Sequence, residues 1–248
     1  MKAIIIAAGS GKRISENVKH TPKSLVKVNG KPILEYQLTT LNQVGINEIY
    51  VITGPNSEKF NYNKIKYIKD QNYLKHDILG SLMEAKHVLK NDILVLYSDI
   101  IFELKVIQEI LNSNEDISIA VDMNWQKNYE GRIEHPVSEA ENVELDNNKI
   151  IKIRKNIQNQ NNKVGEFLGI IKFSKNGSEL FVKKYEELIK NHNGSFHHAE
   201  SLSKAYLTDM IQDLIESKIC ITPVFVSGKW CEIDTMEDLK NAEKLFGN

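Results

Sequence analysis

At 248 residues, with 41% hydrophobic and 26% charged side chains, the chain has the balance of an ordinary globular protein and suits one large α/β domain or two small ones. A formal net charge of −1 and an isoelectric point near 6.7 exclude a global basic field that draws in nucleic acid or anionic lipid, so any bound anion must be met by a few local cations. Two cysteines, Cys220 and Cys231, are too few for a disulfide framework or a structural zinc site and read as reduced thiols of a cytoplasmic protein.

Residues 3–8, AIIIAA, are apolar throughout, as expected of a strand buried on both faces. The run is shorter than a signal-peptide core, and nothing elsewhere approaches the roughly 18 uninterrupted apolar residues of a membrane span, so no membrane role is expected. Residues 33–44 carry apolar side chains at helical spacing and stop at Gly45. A strand over 48–53 ends at Gly54-Pro55, and a shorter one covers 66–69. A helix over 81–90, a strand over 92–97, a helix over 105–111 and a strand over 117–121 complete the first half. This β-α-β alternation with short connections implies a mostly parallel sheet covered by helices.

The second half is less regular. Residues 143–145 and 150–153 flank Asp146-Asn147-Asn148 as a hairpin, and residues 156–162, NIQNQNN, form a polar loop. Strands over 167–173 and 219–226 and helices over 179–190, 207–216 and 236–246 follow. The expected architecture is a three-layer α/β/α Rossmann-like mixed, mostly parallel sheet with a small peripheral β-hairpin insertion. It forms a single domain over residues 1–248, with a nucleotide-binding half to about residue 121 and an acceptor-binding half from 122.

The first strand runs into Gly9-Ser10-Gly11-Lys12-Arg13, which opens like a phosphate-binding turn. It is not a P-loop, because that motif needs a Ser or Thr after its Lys. A dinucleotide fingerprint fits poorly, since its third Gly is replaced by Ile14 and the chain continues as a polar loop. What remains is a small-residue turn, then Arg13, then Pro22-Lys23. Two separated cations beside an open turn can grip a triphosphate along its length.

These residues carry a resemblance. Ala7-Ala8-Gly9-Ser10-Gly11-Lys12-Arg13, Pro22-Lys23, the apolar stretch 25–28 and Lys31-Pro32 together resemble the signature of the nucleotidyltransferase family that activates sugar phosphates, phosphocholine and phosphonates. Ile14-Ser15 departs from the pairs common there. The second half resembles the cytidylyltransferases of phosphocholine and phosphonates, including those associated with phosphoenolpyruvate mutase. Trp125, Arg132-Ile133-Glu134-His135-Pro136, Glu139-Ala140-Glu141, Gly165 to Gly169, Tyr206 to Met210 and Gly228 to Asp234 carry that likeness.

The resemblance implies a CTP-dependent cytidylyltransferase that uses Mg²⁺ and a small phosphonate or phosphomonoester acceptor. Ala8, Gly9, Ser10, Gly11, Lys12, Arg13, Lys23, Asp77 and Ser81 are its expected nucleotide contacts, with Arg13 and Lys23 catalytic. Asp99, at the end of a strand, and Asp234, in the late Glu-Ile-Asp stretch, are its expected Mg²⁺ ligands, a hard-cation pair suited to sharing an ion with phosphates. Glu232 either joins them or pairs locally. Ser81 either meets the base or caps its helix. Arg132 is a candidate for the acceptor's phosphonate, and Glu166 and Asp209 for a cationic amine on it; each could also pair locally. His197 and His198 read as solvated. A homodimer is compatible with these features. The competing readings are a sugar-1-phosphate nucleotidyltransferase, which shares every N-terminal motif, and a non-catalytic nucleotide-binding relative.

Overall fold

The structure, a computed structural model, describes residues 1–9, 14, 20–158 and 162–247. In chain order it comprises β1 (Lys2–Ala7), β2 (Lys27–Val28), β3 (Lys31–Pro32), α1 (Ile33–Gln43), β4 (Ile49–Thr53), β5 (Ile65–Lys69), α2 (Ile78–Glu84), β6 (Ile93–Tyr97), β7 (Ile100–Phe102), α3 (Leu104–Leu111) and β8 (Ile117–Asp122). The second half adds β9 (Glu141–Asp146), β10 (Lys149–Lys155), β11 (Lys163–Phe173), α4 (Lys175–Asn191), α5 (Leu207–Glu216), β12 (Thr222–Phe225), β13 (Trp230–Glu232) and α6 (Met236–Leu245).

One nine-stranded sheet organises the molecule in the order β10-β9-β11-β6-β1-β4-β5, with β8 also on β11 and β12 on β8. Tracing the pairings, β10 and β11 run against the remaining strands, so the sheet is mixed and mostly parallel. Strand alternation divides β1 between two cores. Ile4 and Ile6 face a cluster built with α2, α4 and α5, including Leu82, Phe181 and Met210. Ala3, Ile5 and Ala7 face a cluster with α1 and α3, including Leu34, Leu41 and Ile107. The continuous apolar run 3–8 is thus explained by burial on both faces, and the three expected layers are present.

Several elements differ from the sequence reading, among them β7 and β13, which it left out and which pair with each other. The expected helix over 81–90 starts earlier, at Ile78 after Asp77, and ends at Glu84; turns such as Val88 N to Ala85 O replace its last part. The strand over 219–226 shortens to β12, because α5 ends in a left-handed Lys218 and the Ile219 amide donates back to Leu214 O. The stretch 25–28 begins as a 3₁₀ turn over Lys23–Leu25, leaving only β2 to pair with β3. The expected hairpin is present as β9–β10 at the sheet's outer edge, where it extends the main sheet through β9–β11.

β11 places the site. One edge pairs with β8, while the other pairs with β9 at its start, through Lys163 to Glu166, and with β6 at its end, through Ile170 to Phe173. The register shifts between Phe167 and Ile171, where Gly169 has φ +67°. A Cβ at Gly169 would lie 2.4 Å from the Tyr97 ring, so glycine is required for both its backbone angle and the close approach. The result is a gap between the end of β6 and the start of β9.

Candidate active site

Two cavities, each of about 300 Å³, meet at Asp99. The first fills the gap beside β11 and is lined by Tyr97, Glu141, Glu166, Gly169, Glu232 and Asp234, among others. The second lies over the end of β1, where Ala8, Gly9, Lys23, His76, Asp77 and Ser81 line it. Strand ends on one side of an open α/β sheet are where such crevices form.

Lys23 stands at the junction. Its backbone amide donates to Gly9 O at 3.5 Å, tying the 3₁₀ turn to the end of β1. Its buried ammonium lies 2.6 Å from Asp99 Oδ2 and also pairs with Asp234 Oδ1. Asp99 follows β6, and Gln37 from α1 pins that connection by donating to Tyr97 O at 2.7 Å and Ile100 O at 2.8 Å. The ribbon β7–β13 then pairs Ile100 with Glu232, and Ile233 N donates to Asp99 O at 2.9 Å. Residues more than a hundred positions apart are thereby held side by side.

One oxygen from each of Asp99, Glu232 and Asp234 lies within 4.8 Å of the others. Burial and the charge of Asp99 push the Glu232 carboxyl above the ordinary range, against the pull of Lys23. Asp99 Oδ1 is buried without a hydrogen-bond partner among the described residues. Three carboxylates around one ammonium, with an orphaned oxygen among them, form a donor set that fits a hard divalent cation. Glu232, left open by the sequence, belongs to this cluster. Strand alternation gave the only hint, since it turns residues 232 and 234 to the same side.

A clasp on α6 supports the cluster. Fully buried Asp238 accepts from the backbone amides of Asp234 (3.0 Å) and Thr235 (2.9 Å), from Arg132 Nη2 at 2.6 Å, and stands 3.1 Å from His135 Nδ1. Burial pushes its carboxyl up, but hydrogen bonding to His135 and the charge of Arg132 outweigh this and hold it below the usual carboxylate range. Arg132 is therefore not among the residues lining the cavity; its guanidinium is held by Asp238 and lies over the Tyr129 ring at 4.6 Å. The sequence could not reveal this pairing across 106 positions.

The other expected residues divide. Glu166 lines the first cavity and accepts from the Tyr129 hydroxyl, while its Oε2 is buried without a partner among the described residues. Burial pushes its carboxyl well above the ordinary range. Asp209 caps α5, accepting from Tyr206 N at 2.8 Å and His198 N at 3.2 Å. Asp77 occupies the N-cap position of α2. Ser81 lies inside that helix, so it does not cap it; its hydroxyl donates to Asp70 Oδ2 at 2.7 Å. Asp70 is a buried organiser that sequence reasoning missed, also holding His76 Nε2 at 2.8 Å and the Asn72 amide at 2.9 Å. His197 is not simply solvated, since its imidazole lies 3.5 Å from Asp213. Cys231, its thiol pushed up to about 12 chiefly by burial, is no nucleophile at neutral pH. Ser10, Gly11, Lys12 and Arg13 lie outside the described residues.

The profile of the MobA-like NTP transferase domain matches residues 3–145, more than half of the chain. The chain belongs to that family. A CTP:phosphoglutamine cytidylyltransferase of Campylobacter jejuni is 31% identical over 251 aligned positions, covering 97% of this chain and 98% of that one. A choline-phosphate cytidylyltransferase of Streptococcus pneumoniae is 39% identical over 107 residues, 42% of this chain and 47% of that one. Among solved structures, the CTP:phosphocholine cytidylyltransferase of Streptococcus pneumoniae superposes with a TM-score of 0.70 at 24% identity, covering 98% of this chain and 97% of that one. The inositol-1-phosphate CTP transferase of T. maritima gives 0.75 at 17%, covering 100% and 96%. At these identities the solved structures establish the fold alone, and the family match over residues 3–145 establishes membership.

Proposed function

We propose that the protein is a CTP-dependent cytidylyltransferase joining CMP to a small phosphonate or phosphomonoester with release of pyrophosphate. The observation that carries this reading is the Lys23 ammonium set between Asp99 and Asp234 where the two cavities meet. The full-length relative from Campylobacter jejuni and the partial one from Streptococcus pneumoniae, both named for cytidylyl transfer, support CTP as the donor.

CTP would lie over the end of β1, with its base toward Asp77 and Ser81. Arg13 and the Gly9–Gly11 amides would hold its β- and γ-phosphates, a role that rests on the motif. An acceptor oxygen attacks the α-phosphorus in line; the new P–O bond forms as the bond to the pyrophosphate oxygen breaks. That oxygen is already anionic near neutral pH, so positioning and charge stabilisation suffice. Lys23 neutralises the charge that gathers on the α-phosphoryl group. Asp99, Glu232 and Asp234 would hold Mg²⁺, which supplies electrophilic stabilisation of the phosphates when bound. In the acceptor cavity, the rings of Tyr97, Phe167 and Trp230 suit an acceptor bearing a cationic amine, whose charge would draw the proton off Glu141 or Glu166.

The test is pyrophosphate release with CTP and MgCl₂ across phosphocholine, 2-aminoethylphosphonate, 2-hydroxyethylphosphonate and sugar 1-phosphates. Release with the small acceptors is expected. Release with sugar 1-phosphates alone would transfer the protein to that branch, and CTP binding without any release would mark a regulatory relative.

A further inference from the structure

A third cavity, of about 390 Å³, opens beyond the acceptor cavity and shares Glu141, Lys155 and Tyr206 with it. Its remaining wall includes Arg154, His198 and Asp209. The cytidylyl-transfer reading does not use it, and among its lining residues only Tyr206 also borders the nucleotide-side cavity.

Arg154 is the telling residue. Its Nε is buried without a hydrogen-bond partner among the described residues, and Nη1 stands 3.5 Å from His198 Nε2. A guanidinium is a rigid fork of donors whose best match is a carboxylate or phosphate taken through two parallel N–H bonds. Lys155, next to it, is paired with Glu139 at 2.9 Å and adds positive charge along the same wall. Of the acids on this wall, Asp209 is turned to the backbone amides of Tyr206 and His198, and Glu141 accepts from the Tyr97 hydroxyl at 3.2 Å. A cationic tail entering here meets Arg154 and Lys155, and a short acceptor leaves the buried Nε unmatched.

We infer that this third cavity is a carboxylate subsite: the acceptor carries, at the end remote from its phosphorus, a carboxylate gripped by Arg154. The assignment rests on the proposed function for which end of the acceptor faces Asp99. It narrows the acceptor to phosphorylated amino acids or similar carboxylate-bearing compounds.

The experiment measures binding by calorimetry, apart from turnover. Phosphoserine and phosphoglutamine are each compared with the analogue whose α-carboxylate is a carboxamide, on the wild-type protein, Arg154→Ala and Arg154→Lys. The wild type should favour at least one carboxylate over its carboxamide by about 10- to 100-fold, the range for a hydrogen bond to a charged group. Arg154→Ala should abolish that preference and leave CTP binding unchanged, because Arg154 does not line the nucleotide-side cavity, and Arg154→Lys should restore part of the preference. Equal binding of every matched pair, or a preference that survives in Arg154→Ala, would overturn the subsite. Absence of pyrophosphate release with every acceptor, while the carboxylate preference stands, would sink cytidylyl transfer and uphold the subsite.

Discussion

Lys23 carries more of the proposed chemistry than any other described residue. It is 7% exposed, and its ammonium meets two of the three clustered carboxylates, so its charge is desolvated and aimed before any substrate arrives. Lys23→Ala should lower kcat by about 10²–10³-fold, or about 2.7–4 kcal/mol of transition-state stabilisation, the cost of losing one preorganised donor. Steady-state pyrophosphate release at saturating CTP and acceptor measures it, with circular dichroism to show that the variant is folded. Wild-type turnover in a folded Lys23→Ala protein would remove Lys23 from the mechanism. The motif made Lys23 legible, and the resemblance it carries pointed to Asp99. It could not show that the same ammonium also meets Asp234, because that contact depends on the β7–β13 ribbon.

Two elements place these side chains, and each has a residue on which it depends. At the N-terminus of α6, Asp238 joins the Arg132–His135 segment to the backbone of Asp234. Asp238→Ala leaves the buried Arg132 guanidinium unpaired and should cost about 3–5 kcal/mol, the range for breaking a buried ion pair on one side. Urea unfolding reads that loss, and the MgCl₂ concentration for half-maximal activity should rise as Asp234 loosens. In β11, Gly169→Ala forces a side chain into the left-handed region, about 1–2 kcal/mol, and drives its Cβ into Tyr97. Thermal unfolding should show the destabilisation, and KM for the acceptor should rise as the gap distorts. Helix and strand identities were readable from apolar spacing, because that spacing reports which face is buried. The bulge was not, since a lone glycine in an apolar strand does not disclose which neighbours its two edges will find.

Over the whole molecule, the acid-lined cavity makes stability depend on pH. Burial first, and then the charge of Glu232, push the Glu141 carboxyl up from 4.5 to about 8. A carboxyl whose folded pKa lies above its unfolded value holds its proton more tightly in the native state. Its stabilising contribution is therefore complete below pH 4.5 and is lost as pH rises through about 8. The melting temperature should fall across that window, and Glu141→Gln, neutral throughout, should flatten the decline. An unchanged slope in that variant would mean that Glu141 titrates normally. Asp238, held below its ordinary value, acts in the opposite sense and loses its contribution as the solution becomes strongly acidic.

What the sequence determined by itself was local. The apolar run of β1, the small-residue turn after it, the Pro22-Lys23 step and the acid after β6 are short-range patterns whose burial or backbone demands act within a few residues. They sufficed for the α/β class and carried the resemblance that pointed to the family and, with the late Glu-Ile-Asp stretch, to two of the three clustered acids. The tertiary structure decided whatever depends on pairing distant segments. Glu232 joins the cluster because β13 lies on β7, Arg132 leaves the cavity because Asp238 holds it, and Asp209 is spent on its own helix. The first cavity itself exists because β6 and β9 share one edge of β11 without meeting. Such pairings are set by which buried surfaces and unsatisfied polar groups find each other in three dimensions, and no spacing along a single chain encodes that choice.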